Sequence, residues 1–87
     1  GPMSVYDDIK IERDRQDRKW GEQNHDDGTW SLILGEEVGE ACEAALSALF
    51  GGGQTDALRD ELVQIAAVAT AWIECLDRRN DAPKEAP

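Results

Sequence analysis

The sequence is short of bases: nine lysines and arginines stand against nineteen aspartates and glutamates, for a formal net charge of −10. Nucleic-acid binding needs a basic face to neutralise phosphates, so no nucleic-acid partner is expected. Long apolar runs are also missing. The longest, Ile65 to Ile73, is broken by Thr70 and falls far short of the roughly 20 residues that a bilayer span takes. No membrane association is expected. Period-two alternation is absent, so no strand is predicted. Cysteine is scarce, and Cys42 and Cys75 show no CxxC spacing. Both lie in apolar helical surroundings, which reads as two buried free thiols in a reducing cytoplasm rather than a disulfide.

A chain of 87 residues is expected to form one small domain, whose core is marginal without a disulfide, a metal or a second subunit. With a disulfide set aside, metal binding and oligomerisation remain. Gly1 and Pro2, ahead of Met3, read as the scar of a cleaved tag. The domain is expected over residues 3–80, with 81–87 a flexible tail.

What is present is helical periodicity. A first helix is predicted from Ser4, a suitable N-cap, to Trp20. "GEQNHDDG" at 21–28 has loop composition. A second helix runs from about Thr29 to Phe50, with Trp30, Ile33, Leu34, Val38, Ala41, Ala45 and Leu49 recurring at three- and four-residue steps. "GGG" at 51–53 ends it. A third begins after Thr55, expected as its cap, with Leu58, Leu62, Ile65, Ala69, Trp72 and Leu76 as its stripe.

The fold expected is all-α: an antiparallel helical hairpin plus an N-terminal helix. A hairpin cannot cover two apolar stripes alone, and the first helix has few apolar residues to offer. A second copy is therefore expected to complete a four-helix bundle core, as a homodimer or homotetramer.

"GEEVGEACEA" at 35–44 crowds Glu36, Glu37, Glu40 and Glu43 onto one helix. Residues three or four apart share a helix face, so Glu40 meets three acids, each such pair costing a few tenths of a kcal/mol. No lysine or arginine lies between Lys19 and Arg59 to offset them. A divalent cation could, and an antiparallel hairpin would bring Glu61 on the third helix towards Glu37 and Glu40. Gln64 follows Glu61 at i+3. Oxygen ligands without histidine or thiolate favour Mg2+, with Mn2+ as a substitute. The plain alternative is a solvated acidic face. Gly35 and Gly39 each cost about 1 kcal/mol in a helix interior and suit close approach of a backbone or a ligand.

On the first helix, Ile9, Arg13, Gln16 and Trp20 form one stripe that is half polar. Arg13 or Lys19 could reach substrate phosphates from it, or it is a charged solvated face. Trp20 and Trp30 bracket the loop that holds His25, the lone histidine. These aromatic groups suit stacking on a base, although Trp30 reads equally as core.

"LGEEVGEACEA" followed by "LRDELVQIAAVATAW" resembles the MazG-like all-α nucleoside triphosphate pyrophosphohydrolases, whose motif is EExxE on one helix and ExxD on the next. "ERDRQDRKWGEQNH" at 12–25 is similar to the segment that precedes the motif in those proteins. The resemblance covers roughly residues 9–77. It implies magnesium-dependent hydrolysis of a nucleoside triphosphate to a monophosphate and pyrophosphate. It also implies Glu37, Glu40 and Glu61 as metal ligands, with Glu36 a ligand or the group that orients the attacking water. Similar positions to Trp20, His25 and Trp30 contact the base in the dCTP pyrophosphatase relatives. The final position of ExxD is Gln64 here, a candidate metal ligand through its amide oxygen but one without negative charge. Two rival functions follow: a nucleotide sensor with weakened chemistry, and a helical oligomerisation module.

Overall fold

The structure, a computed structural model, describes residues 4–52 and 55–81. The expectations for a tag scar at 1–2, for Gly53 and for a tail beyond 81 lie outside these residues. The described residues form three helices and no strand: α1 (Val5–Trp20), α2 (Asp27–Phe50) and α3 (Thr55–Asp81). No helix is long and apolar enough to cross a membrane.

Local chemistry explains the boundaries. Ser4 caps α1 in a reciprocal box, its hydroxyl accepting from the Asp7 N–H while the Asp7 carboxylate accepts from the Ser4 N–H. Gly21 ends the helix at φ 70°, a conformation costly for any side chain, and donates to Asp17 O at 2.8 Å. The second helix starts two residues earlier than its apolar pattern indicated. Asp26 is the cap, with its carboxylate accepting from Thr29 N at 2.7 Å. Thr55 is the first residue of α3 rather than the residue before it, and the helix continues through Asn80 to Asp81.

The helices lie in the order α1, α3, α2. Asp8 pairs with Arg59 and Arg13 with Glu74, so α1 runs parallel to α3. Asp27 pairs with Arg79 at the other end of the chain's third helix, so α2 runs antiparallel to it. Both outer helices pack on α3 and not on each other. This central role turns the buried stripe of α3 away from the one expected. Ala67, Val68, Ala71 and Cys75 are buried, whereas Leu62 is exposed. Small residues are used here because two helices must approach α3 closely.

The core is small: Trp30, Val68, Ala71 and Cys75, with Ile33, Leu34 and Trp72 packed against it. Val38 and Leu49, expected in the apolar stripe of α2, are exposed, since α2 has only one neighbour in the protomer. Cys42 corrects a further expectation. It is exposed while Cys75 is buried, and both thiols are free. Helix α1 docks largely through ion pairs, Arg13 with Glu74 at 2.7 Å and Asp8 with Arg59 at 2.7 Å, which compensates for its shortage of apolar side chains.

Candidate functional site

Because the α1 and α2 backbones stand apart, a cleft runs between them with α3 as its floor. A cavity of about 210 Å³ occupies it. Gln16 and Trp20 line it from α1, Gln23 from the loop, Trp30, Ile33 and Glu37 from α2, and Gln64, Val68 and Ala71 from α3. Its walls thus combine two indoles, three amides and one carboxylate.

The carboxylate leads to an acidic cluster. Glu37, Glu40 and Glu61 present oxygens that all lie within 4.8 Å of one another. The antiparallel course of α2 against α3 produces this meeting. Three carboxylates so close oppose one another's ionisation. Burial first, then the charges of Glu40, Glu61, Glu36 and Glu12, push the Glu37 carboxyl above its ordinary value. Desolvation and the neighbouring Glu40 carboxyl raise that of Glu61 likewise. The set is all oxygen, as a hard divalent cation requires, and one cation would replace these repulsions with attraction. Glu36 is exposed and outside the cluster.

A fourth glutamate was not singled out by its sequence. Glu12, on α1, is only 9% exposed. Its carboxylate accepts from Arg15 at 2.6 to 3.0 Å. That bond outweighs burial and holds its pKa below the ordinary value, and the side-chain amides of Gln64 and Gln16 help. Gln64 therefore stands between two acids, lining one cavity with Glu37 and another with Glu12. A signal for Glu12 existed: Ile9, Glu12 and Gln16 are spaced by three and four, a register as regular as the one through Arg13.

The remaining candidates divide. Gln16 is buried at the cavity wall and Trp20 flanks it half-exposed, with the Lys19 ammonium 4.7 Å above the centre of its ring. Arg13 is committed elsewhere. It donates to Glu74, Gln16 and Asp17 and lines a separate polar cavity of about 290 Å³ with Arg78. Trp30 is 1% exposed and belongs to the core, stacked against Trp72. His25 packs edge-on against it, ring centroids 4.9 Å apart. His25 Nε2 and Trp30 Nε1 are buried without a hydrogen-bond partner among the described residues.

The loop that carries His25 is pinned by two arginines that sequence alone placed only at a helix end. Arg78 donates to Gln23 O and to Asn24 Oδ1, both at 2.9 Å. Arg79 donates to the Asp27 carboxylate and to His25 O. Comparison with protein-family models, curated proteins and solved structures finds no match to this chain.

Proposed function

We propose that this protein is a magnesium-dependent nucleoside triphosphate pyrophosphohydrolase, releasing a nucleoside monophosphate and pyrophosphate in the cytoplasm. The observation that carries the reading is the convergence of Glu37, Glu40 and Glu61 within 4.8 Å at the edge of an indole- and amide-lined cavity that Glu37 also borders. These three glutamates are the proposed ligands of Mg2+, or of Mn2+ in its place. Such an ion, when bound, neutralises phosphate charge and activates water for attack at phosphorus. Glu36, exposed beside the cluster, is the proposed carboxylate that orients the water.

The base belongs in the cavity. The half-exposed Trp20 indole suits one face of a base, the buried Trp30 edge, Ile33 and Val68 give the cavity an apolar floor, and the amides of Gln16, Gln23 and Gln64 offer donors and acceptors for the base's edge. The unpartnered Trp30 Nε1, on a residue of the cavity wall, adds to this reading, because a buried polar group left unsatisfied costs about 1–3 kcal/mol. Lys19, exposed near the cavity's rim, is better placed than Arg13 to meet phosphates.

The proposed assembly is a homodimer in which two α2–α3 hairpins form a four-helix core. It would use the side turned away from α1, where Val38, Leu62 and Ile73 are exposed.

One observation favours a nucleotide sensor with weakened chemistry: Gln64 supplies an amide where a further charged ligand would stand. Pyrophosphate release from a panel of ribo- and deoxyribonucleoside triphosphates with Mg2+ decides. Release that disappears in EDTA supports the hydrolase. Tight triphosphate binding without release replaces it with the sensor. A melting temperature indifferent to Mg2+, Mn2+ and nucleotide leaves only an oligomerisation module.

A further inference from the structure

The two most deeply buried polar side chains in the wall of the cleft cavity are Trp30, 1% exposed, and Gln16, 5% exposed. Both offer hydrogens, and the direction of each is fixed by its surroundings.

Gln16 is fixed by Arg13. Its Oε1 accepts from Arg13 Nη1 at 3.1 Å, and a guanidinium only donates, so the amide oxygen has to be the atom that faces it. Arg13 is held in turn, because Glu74 and Asp17 accept from its other nitrogens at 2.8 and 2.9 Å. What Gln16 has left to offer is therefore its amide nitrogen, which carries two hydrogens. Glu12, one turn earlier on α1, draws on this amide, and the second hydrogen is left for the cavity that Gln16 lines.

Trp30 is fixed by burial. An indole N–H donates and never accepts, and here it has no acceptor among the described residues. The His25 ring, with its centroid 4.9 Å away, does not take the hydrogen, and its own Nε2 is unpartnered too. The other polar side chains of the wall impose no such demand at depth. Gln23 can present either end of its amide, and Glu37 and Gln64 lie on the side of the carboxylate cluster.

A nucleotide with its phosphates at that cluster reaches inward with its base, an orientation that rests on the proposed hydrolase reading. The exocyclic group on the far edge of the base, opposite the sugar, then meets Gln16 and Trp30. A carbonyl oxygen there has two lone pairs for two donors. An amino group there sets N–H against N–H and leaves buried donors unpaired, which is how a polar site rejects a close analogue.

We infer that this cavity selects nucleotides whose base carries a carbonyl oxygen on its far edge over those with an amino group there, and that Gln16 and Trp30 make the distinction.

Two pairs of substrates test it: dUTP against dCTP, and dITP against dATP. In the natural chain with Mg2+, kcat/KM for pyrophosphate release is expected to be at least about tenfold higher for the carbonyl member of each pair. Gln16→Glu puts an acceptor oxygen where the amide nitrogen stood and still gives Arg13 a partner, so it is expected to reverse the order within each pair. Trp30→Phe keeps a ring and loses the N–H, and is expected to shrink the preference. Circular dichroism establishes that each variant folds, and the ratios of the natural chain stand without either. Equal rates within both pairs, or a preference for the amino members, overturn the inference. So does a carbonyl preference that neither folded variant reduces.

Titration with the monophosphates dUMP, dCMP, dIMP and dAMP, followed by tryptophan fluorescence, separates this inference from the proposed chemistry. No pyrophosphate release, with dUMP and dIMP still bound more tightly than dCMP and dAMP, sinks the hydrolase and leaves the selectivity standing. Release without any carbonyl preference does the reverse. Neither release nor binding overturns both.

Discussion

Trp72 lies parallel to Trp30, ring centroids 6.4 Å apart and planes 10° apart, and its Nε1–H donates to Asp27 Oδ1 at 3.0 Å. One side chain of α3 therefore fixes both the first turn of α2 and the most deeply buried ring in the protein. Removing the ring and removing the donor are expected to differ. Trp72→Phe keeps an apolar ring and loses the hydrogen bond, at about 1 kcal/mol. Trp30→Ala empties the core, at about 3–5 kcal/mol, enough to unfold a domain this small. Thermal unfolding followed by circular dichroism measures both; equal losses in the two variants would refute the assigned division.

Glu40→Gln addresses the cluster. Glu40 is exposed and holds up no core packing, so an amide there relieves repulsion between α2 and α3. The variant is expected to melt at or above the temperature of the natural chain in EDTA, while losing the stabilisation that the proposed Mg2+ site predicts for the natural chain. Calorimetric titration with Mg2+ checks the second half. Undiminished affinity would mean that Glu40 is not a ligand.

The pH dependence follows from two opposed sets of carboxylates. Glu37 has its pKa raised in the fold, so between its ordinary value of 4.5 and the raised value the native state holds more protons than the unfolded chain. Stability then falls as pH rises through that window. Asp27 is the reverse case. The Arg79 guanidinium and the Trp72 N–H hold its carboxyl below its ordinary 3.8, so its contribution is present above that value and is lost as pH falls through the lowered one. Melting temperatures in EDTA are expected to fall on both sides of about pH 4–4.5, the interval that separates these two windows. Saturating Mg2+ should flatten the decline on the alkaline side. A steady rise from pH 4.5 to 7 in EDTA would contradict the crowding of Glu37.

Arg78 offers a test of the loop. Its guanidinium bridges Gln23 O and Asn24 Oδ1, and no other side chain of α3 reaches those residues by a hydrogen bond. Arg78→Ala is expected to speed amide hydrogen exchange across residues 22–26, with a global loss of about 1 kcal/mol. Unaltered exchange in that segment would show that the contacts do not restrain it.

The sequence made the helices legible because their caps and stops are local: Ser4, Gly21 and Gly51 each act within a turn of their own helix. It also brought Glu61 towards Glu37 and Glu40, since a short loop between two long helices leaves them antiparallel. It could not reveal which helix lies in the middle. The apolar stripe through Leu58, Leu62 and Ile65 assumes one neighbour for α3, whereas the fold has two, and alanines serve the closer contact. Glu12 was hidden for a related reason. On a helix as charged as α1, the Ile9–Glu12–Gln16 register does not stand out from the one through Arg13, and only the packing of α1 on α3 shows which of the two is buried.

Gln64 yields the last test. Gln64 lines one cavity with Glu12 and another with Glu37, so its amide stands between the two acids. Gln64→Glu puts a fourth negative charge between two existing ones. Without a cation this is expected to lower the melting temperature, because like charges in partly desolvated surroundings repel. With Mg2+ the added oxygen ligand should tighten binding on the order of tenfold, about 1.4 kcal/mol. The two effects have opposite signs, so melting curves with and without Mg2+ separate them in one experiment. A variant destabilised in both conditions, with Mg2+ affinity unmoved, would mean that Gln64 takes no part in the proposed site and that its ligands are Glu37, Glu40 and Glu61 alone.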